Sequence, residues 1–182
     1  MRTKHDQPAR EKLTGIMGPV DYTAPVRYRP GPALYRRLQP LGSRLTLLGL
    51  SPDYAVVLEV PGRRSGVIHR TNLVRVEHDG NDFLVSLSGE SEWVRNVRAC
   101  AGRVVIGRRR RRAATLTEIQ IANRPPVIRA YLRRAGRTGR SWGTALEARH
   151  YFGVTTDPSD AELHRIAERY PVFRVDYYAD PH

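Results

Sequence analysis

The chain has 182 residues and a formal net charge of +13, with 31 lysines and arginines against 18 aspartates and glutamates. This length suits one domain with a single core, and the positive charge predicts an anionic partner: an acidic cofactor, nucleic acid or anionic lipid. The single cysteine, Cys100, excludes an internal disulfide and a thiolate zinc cluster, which favours a reducing cytoplasm. The polar N-terminus and the short apolar runs predict neither a signal peptide nor a membrane-spanning helix.

The N-terminal part is predicted to be an arm followed by a helix. Residues 1–31 are rich in charge, proline and glycine, so we expect a mobile arm ahead of one domain at 32–182. Leucines at helical spacing predict a helix over 33–48 that packs on the domain: Leu34, Leu38, Leu41, Leu45 and Leu48. An amphipathic helix that touches a membrane is the alternative.

Residues 54–77 predict two strands joined by a short turn. The apolar run at 54–60 is typical of a strand buried on both faces, and partial alternation at 67–77 predicts a second strand. Between them lies the turn Gly62-Arg63-Arg64-Ser65-Gly66. Glycine permits positive φ there, so backbone N–H groups and guanidinium groups can surround an anion. The alternative is a tight hairpin whose arginines face water.

The segments that follow predict an antiparallel barrel. Asp79-Gly80 is a hairpin signal before a third strand at 82–88. Further strands are predicted at 103–106, 114–119 and 172–178. Because no helix crosses between the first three strands, we predict a β-barrel with helices, in the α+β class, rather than a parallel nucleotide-binding sheet.

Three more helices are predicted among these strands. The first, over 91–101, begins at Ser91 and places Trp93 and Asn96 on one face. A buried amide at that position needs hydrogen-bond partners, which a bound cofactor would supply. The second helix is predicted over 124–135, with a Gly/Arg-rich loop at 137–149. The third is predicted to be capped by Asp157, with Pro158 in its first turn.

Five consecutive arginines occupy residues 108–112, between the fourth and fifth predicted strands. Such a run suggests nucleic-acid binding. We prefer a solvated hairpin tip, because no aromatic residues are interleaved as single-strand binding would need. The six histidines are scattered along the chain, so no metal site is predicted.

The order and spacing of these motifs over residues 34–119 resemble one enzyme family, the deazaflavin-dependent nitroreductases. The similar segments are Gly62-Arg63-Arg64-Ser65-Gly66, Arg70-Thr71-Asn72-Leu73, Asp79-Gly80 and Trp93-Val94-Arg95-Asn96. The resemblance implies a split β-barrel of the FMN-binding, pyridoxamine-phosphate-oxidase-like type. It also implies coenzyme F420, a deazaflavin with a phosphate and a glutamate tail, and hydride transfer to a quinone, nitro compound or similar small-molecule acceptor.

The resemblance further implies which residues contact the cofactor. The phosphate and glutamyl part would meet the turn residues Arg63, Arg64, Ser65 and Gly66. The ring or ribityl portion would meet the strand residues Arg70, Thr71 and Asn72. Backbone contacts would come from Ser86, Leu87, Ser88 and Gly89. The phosphate and its chain would be flanked by Trp93 and Asn96.

The sequence leaves more than one candidate for the proton donor, for the cofactor and for the oligomeric state. In the family a C-terminal tyrosine is implicated in proton transfer, and Tyr151, Tyr177 and Tyr178 are the candidates here. The family often has proline where Asn72 stands and a lysine near Gly89, a contact that the abundant arginines could replace. FMN in the same barrel is the alternative cofactor, although the polycationic turn favours the more acidic deazaflavin. A basic nucleic-acid-binding protein is the alternative function, and either a monomer or a homodimer is expected.

Overall fold

The computed structural model describes residues 48, 53–138, 152–155 and 157–178, with side chains placed for all of these except 134–138. The predicted arm at 1–31 lies outside the described residues, as does all but the last residue of the predicted helix at 33–48. Most of the predicted loop at 137–149 and Tyr151 also lie outside them. None of the helices within the described ranges is long and apolar enough to cross a membrane.

Six antiparallel strands close into a barrel in the spatial order β1-β2-β3-β6-β5-β4. The strands are β1 (Ala55–Pro61), β2 (Ile68–His78), β3 (Asn81–Val85), β4 (Arg103–Gly107), β5 (Arg111–Glu118) and β6 (Val172–Tyr177). Each strand is hydrogen-bonded on both sides, so the described sheet has no open edge. The barrel with accompanying helices confirms the predicted fold class.

The first strand is buried on both of its faces, as its apolar run predicts. Val56, Leu58 and Val60 point into the barrel, where they belong to the interior cluster. Val57 and Glu59 alternate with them and therefore face outward, yet each is less than one-tenth exposed. The strand therefore places one carboxylate, that of Glu59, on a buried outer surface.

Helix α1 (Glu92–Ala99) closes one end of the barrel. Trp93 and Val97 are buried and join the interior cluster. The Trp93 ring packs on that of Phe173 at the start of β6, with 5.4 Å between the ring centroids. Because an aromatic pair of this kind fixes the helix against the sheet, the end of the barrel at α1 is a packed surface.

Two further helices, α2 (Arg124–Thr138) and α3 (Asp160–Arg169), pack together outside the barrel. They form a second apolar cluster with β2, β3 and β6, whose buried members include Val76, Phe83, Val127, Ile128, Tyr131, Leu163, Ile166 and Val172. The barrel therefore has an inner core along its axis and an outer core under α2 and α3.

Arg124, at the start of α2, links both helices to the barrel through a buried guanidinium. Its Nε donates to the carbonyl oxygen of Ile119 at 3.1 Å, and its Nη2 donates to Glu118 Oε1 at 2.9 Å. Its Nη1 donates to the carbonyl oxygens of Ala167 and Tyr170 at 3.0 and 3.3 Å. The side chain thus satisfies carbonyl groups from two separate segments and pairs its own charge.

Some predicted boundaries are wrong. The third strand ends at Val85 rather than at 88, because Ser86 turns the chain through hydrogen bonds with Gly89. The fifth strand begins at Arg111 rather than at 114. The second helix continues past Gly136 to Thr138, which a helix tolerates because a single interior glycine costs only about 1 kcal/mol.

The predicted cap of the last helix is also wrong. Ser159 rather than Asp157 is the N-cap of α3, so Pro158 precedes the helix instead of occupying its first turn. The Ser159 Oγ accepts a hydrogen bond from the Glu162 N–H at 3.3 Å, and the Glu162 carboxylate accepts one from the Ser159 N–H at 2.9 Å. This reciprocal capping box satisfies two N–H groups that the helix start leaves open.

The buried contacts of Arg124 predict a large effect of its removal. Arg124→Met should lower the free energy of unfolding by about 3 kcal/mol, because it leaves Glu118 and the buried carbonyl groups without their donor. Arg129→Met, on the same helix, is the control: its partly exposed ion pair with Asp160 should contribute no more than about 1 kcal/mol. Urea unfolding measures both, and equal losses would contradict the assignment.

The capping box gives a second stability prediction. Ser159→Ala should cost about 1 kcal/mol of unfolding free energy, the usual contribution of an N-cap side chain. Asp157→Ala should cost less than about 0.5 kcal/mol, because among the described residues Asp157 makes only an exposed ion pair with Arg133 at 3.3 Å. If urea unfolding showed the larger loss for Asp157→Ala, Ser159 would not be the cap that matters.

Candidate functional site

The turn between β1 and β2 is shaped by its two glycines. The Gly62 N–H donates to the carbonyl oxygen of Val67 at 2.8 Å, and the Gly66 N–H donates to that of Gly62 at 2.8 Å. Gly66 has φ +69°, which favours glycine over residues with a side chain. The three residues between the glycines are exposed at the tip. The sequence-predicted turn is therefore present, and its two arginines differ in their contacts.

Arg63 fastens this turn to α1. Its backbone N–H and its Nη1 donate to Asn96 Oδ1 at 3.2 and 3.0 Å, and Nη1 also lies 2.5 Å from Glu92 Oε2. The hydrogen bond from Arg63 lowers the pKa of Glu92 below its ordinary value. Asn96 is only 4% exposed, so the buried amide singled out in the sequence takes its partners from the turn. Asn96 is therefore a structural link between turn and helix.

Arg64 differs from its neighbour Arg63 in its contacts. Within the part of the chain that the structure describes, its guanidinium forms no hydrogen bond or ion pair, and the residue is exposed. The Ser65 hydroxyl beside it accepts from the Val67 N–H at 3.3 Å. The turn thus anchors one arginine and leaves the next one exposed to solvent.

A second group of charges surrounds Glu59 on the outer face of β1. Arg70 of β2 donates from Nε to Glu59 Oε1 at 2.8 Å. Arg111 of β5 donates from Nη1 to Oε1 and Oε2 at 3.1 and 3.2 Å. Burial by itself raises the pKa of Glu59, but the hydrogen bonds from Arg70 and Arg111 outweigh it and hold the pKa below its ordinary value. The carboxylate is therefore ionised at neutral pH.

Sequence reasoning missed Glu59, although a signal for it is present. It is the one charged residue inside the otherwise apolar strand Ala55–Pro61. A carboxylate in such a strand must be paired or lie at a functional position, because an isolated buried charge is costly. Its arginine partners come from two other strands, which spacing along the chain does not reveal.

The predicted ring-lining residues on β2 divide between its two faces. Arg70 pairs across the strands with Glu59, and Asn72 pairs with Val57, so both lie on the outer face of the barrel. Thr71 pairs with Leu58, whose side chain belongs to the interior cluster. Since alternate residues of a strand point to opposite faces, the structure brings Arg70 and Asn72 together but not Thr71.

The loop at 86–89 lies beside the start of α1. The Ser86 hydroxyl is buried, donates to the carbonyl oxygen of Gly89 at 2.7 Å and lies 3.2 Å from the hydroxyl of Ser91. Gly89 has φ +63° and donates back to the carbonyl oxygen of Ser86 at 3.2 Å. Leu87 packs against the outer apolar cluster, and Ser88 is half-buried. The loop is therefore a closed turn that leads into the helix bound by Arg63.

Tyr177 lies at the opposite end of the barrel from α1. It is four residues along β6 from Phe173, a separation of about 13 Å. Its hydroxyl donates to Asp82 Oδ2 at 3.3 Å, and Arg75 pairs with the same oxygen at 3.1 Å. The guanidinium of Arg112 stacks 4.6 Å from the centre of the Tyr177 ring. Burial is the main cause that raises the pKa of Tyr177 above its ordinary value.

The arginine run is not simply a solvated tip. Arg108 donates to Asp53 Oδ1 at 2.7 Å. Arg111 and Arg112 belong to β5 and reach the carboxylate of β1 and the ring of β6. At the bend, residues 109 and 110 are exposed and their side chains make no hydrogen bond or ion pair among the described residues. The expectation of a hairpin with exposed charges therefore fits the bend and not the whole run.

A groove of about 350 Å³ lies between the end of β2 and helices α2 and α3. Its lining residues include His78, Pro126, Arg129, Arg133 and Leu163. His78 is the last residue of β2, whereas the turn precedes the first, so the groove is remote from the turn. In the described ranges, no group of three or more histidine, cysteine, aspartate or glutamate side chains could hold a metal ion.

Comparisons with solved structures find distant relatives. One is named F420-H2 dependent reductase (FDR-A), with 22% identity over 68% of this chain and 94% of its own, and a TM-score of 0.37. A proposed 5-nitroimidazole resistance protein from Bacteroides thetaiotaomicron has 11% identity over 76% and 80%, with a TM-score of 0.45. A proposed pyridoxamine 5'-phosphate oxidase from Listeria innocua has 10% identity over 76% and 93%, with a TM-score of 0.39. Scores this low carry no argument about function.

The sequence itself matches a family model over more than half of its length. No curated protein matches the chain significantly. The model that matches describes the F420H(2)-dependent quinone reductases, and it covers residues 28–134, which include the turn, the Glu59 cluster and α1. The chain therefore belongs to the F420H(2)-dependent quinone reductase family, and it is an oxidoreductase that uses coenzyme F420.

Proposed function

We propose that this enzyme reduces a quinone, nitro compound or similar small acceptor and holds the acidic end of F420 at the β1–β2 turn. The observation that supports the proposal is that the two adjacent arginines of the turn differ: one is bound to α1 and the other is exposed. Arg63 is tied to Asn96 and Glu92 of α1, so the backbone of the turn is fixed. Arg64 stays exposed, so its guanidinium is available to a phosphate or carboxylate.

The chemistry of the donor set fits an acidic cofactor. A guanidinium presents a planar fork of N–H donors that matches both phosphate and carboxylate oxygens. Arg64 at the turn and Arg70 on the adjoining outer face of β2 supply such donors on the same hairpin. When bound, the reduced deazaflavin supplies the hydride, and the chain's own residues bind and orient it and exclude water.

The remaining predicted contact residues take supporting positions in this proposal. Gly66 allows the turn, and Ser65 braces its backbone. Asn72 shares the outer face with Arg70 and would contact the ribityl or ring portion. Trp93 and Asn96 hold α1 and the turn in place rather than contact the cofactor. Both are buried: Trp93 packs on Phe173, and Asn96 is hydrogen-bonded to Arg63. The loop at 86–89 offers backbone groups next to α1.

Arg64 gives the direct test of the cofactor site. Arg64→Ala should weaken F420 binding at least about tenfold, since a hydrogen bond to a charged group contributes roughly 1.5–3 kcal/mol. Arg110→Ala is the matched control, because Arg110 is also an exposed arginine at a hairpin bend, and its effect should stay within about twofold. Titration followed by protein fluorescence measures both, and equal dissociation constants would contradict the assignment.

The same titration distinguishes binding of F420 from the alternatives, which are binding of FMN and binding of nucleic acid to the basic surface. We expect saturable binding of F420, weaker binding of FMN, and no saturable binding of duplex DNA at physiological salt. The contacts of Arg108, Arg111 and Arg112 with the protein itself support this expectation, because they leave fewer of the clustered charges for a phosphate backbone. Tight, salt-sensitive DNA binding without any response to F420 would favour the nucleic-acid alternative.

We propose Tyr177 as the proton donor, ahead of its neighbour Tyr178. Its raised pKa keeps the hydroxyl protonated at every pH below the ordinary value of 10.0, the state that a proton donor needs. Tyr177→Phe should lower kcat about 100-fold without changing the F420 dissociation constant, because Tyr177 is remote from the turn. Tyr178→Phe should leave kcat unchanged, because the Tyr178 hydroxyl is exposed and, among the described residues, pairs with that of Thr115 at 2.8 Å. An unchanged kcat in Tyr177→Phe would leave Tyr151 and Tyr178 as the candidates.

A further inference from the structure

The carboxylate of Glu59 is buried, whereas the two arginines that pair with it are exposed to solvent. The Glu59 side chain is 10% exposed, whereas those of Arg70 and Arg111 are 57% and 54% exposed. One buried negative charge therefore holds two positive charges, and the group keeps a net charge of +1. A single arginine would neutralise Glu59, so the second one is in excess of what burial of the carboxylate requires.

The two arginines keep donors for another acceptor. A guanidinium has five N–H donors. Arg70 directs only its Nε to Glu59, and Arg111 directs only its Nη1. The other N–H groups belong to side chains that are more than half exposed, so an anion can reach them from solvent. Two guanidinium groups that share one carboxylate lie close together, which suits an anion with several oxygens.

Arg111 reaches Glu59 across an intervening strand. Arg111 of β5 is the register partner of Gly107 of β4, and Gly107 is the partner of Val57 of β1. Gly107 has no side chain on the outer face, so the arginine can cross β4 there. A Cβ at this position would lie only 1.9 Å from the carbonyl oxygen of Arg110, so glycine is required by the bend as well.

We propose that Glu59 is a positioning residue that holds Arg70 and Arg111 as paired donors for an anionic group, phosphate or carboxylate, of the cofactor. This inference rests on the proposed function, and it adds Glu59 and Arg111 to the site. Arg70 lies on the same hairpin as the turn, four residues beyond Gly66, which is about 13 Å along an extended strand. The sites at Arg64 and at Glu59 can thus contact separate parts of one elongated acidic ligand.

Glu59→Gln distinguishes a positioning role from simple charge balance, because the two roles predict opposite changes in the affinity for F420. If Glu59 only offsets positive charge, removing its charge should strengthen anion binding. If it positions the two arginines, the amide releases them, and F420 binding should weaken about fivefold or more. Arg111→Ala should weaken F420 binding about tenfold and reduce its dependence on salt concentration, while Arg110→Ala should change neither by more than about twofold.

Three ligands identify which anionic group is bound. They are F420, the deazaflavin that carries the phosphate but no glutamates, and the deazaflavin–ribitol fragment that lacks both. A phosphate contact predicts that Glu59→Gln and Arg111→Ala weaken the first two ligands, and a glutamate contact predicts that they weaken F420 alone. In either case the fragment should bind both variants as it binds the unaltered protein, which also shows that the variants are folded.

The outcomes separate this inference from the function on which it rests. Unchanged or tighter F420 binding by Glu59→Gln, or unchanged binding by Arg111→Ala, overturns the inference even if Arg64→Ala is impaired. Equal weakening of all three ligands also overturns it, because a general loss of structure would then explain the effect. A failure of the unaltered protein to bind F420 overturns both the inference and the proposed function.

Discussion

The hydrogen bonds from Arg63 to Asn96 and Glu92 are the contacts on which the site depends. They join a five-residue turn, which would otherwise be an exposed loop, to a helix whose other face is packed into the barrel. Because Asn96 is buried and its oxygen accepts two donors from one residue, the position of the turn follows that of the helix. A flexible loop would have to be ordered when a ligand binds, and the anchored turn avoids much of that cost.

Arginine has several distinct roles in this chain. Arg124 is buried and satisfies carbonyl groups where α2 meets α3. Arg98 pairs with both Glu90 and Glu118, and these hydrogen bonds raise its pKa. Arg64 and Arg70 remain exposed on the β1–β2 hairpin. The net charge is therefore a poor guide to the partner, because part of it maintains the fold and another part is available to an anion.

The barrel has two ends of different character. At one end α1, with Trp93 against Phe173, forms an apolar plug, and the turn and the loop at 86–89 gather around it. At the other end polar groups meet, among them Tyr177 and Asp82. The residues that resemble the cofactor-binding motifs lie near the first end or on the outer face of β1 and β2. A role for Tyr177 in the reaction would require the cofactor or the acceptor to extend along the barrel.

The sequence alone determined the features that depend on neighbouring residues. Alternation, glycine punctuation and the Asp79-Gly80 signal predicted the strands, the meander and the turn, because local φ/ψ preference and burial pattern act within a few residues. The family resemblance supplied the cofactor, and the family model that matches residues 28–134 confirms it. The cap at Ser159 could have been predicted too, because Ser-x-x-Glu is a capping-box pattern.

Contacts between segments that are distant along the chain set which arginines are available and which are engaged. Arg63 and Arg64 are adjacent and alike in sequence, yet one is held by residues about thirty positions away and the other is exposed. Arg111 looked like part of a solvated run, yet it crosses β4 to a carboxylate 52 residues away. A guanidinium reaches far beyond its own backbone, so its partner is set by the closure of the barrel, which brings distant strands together.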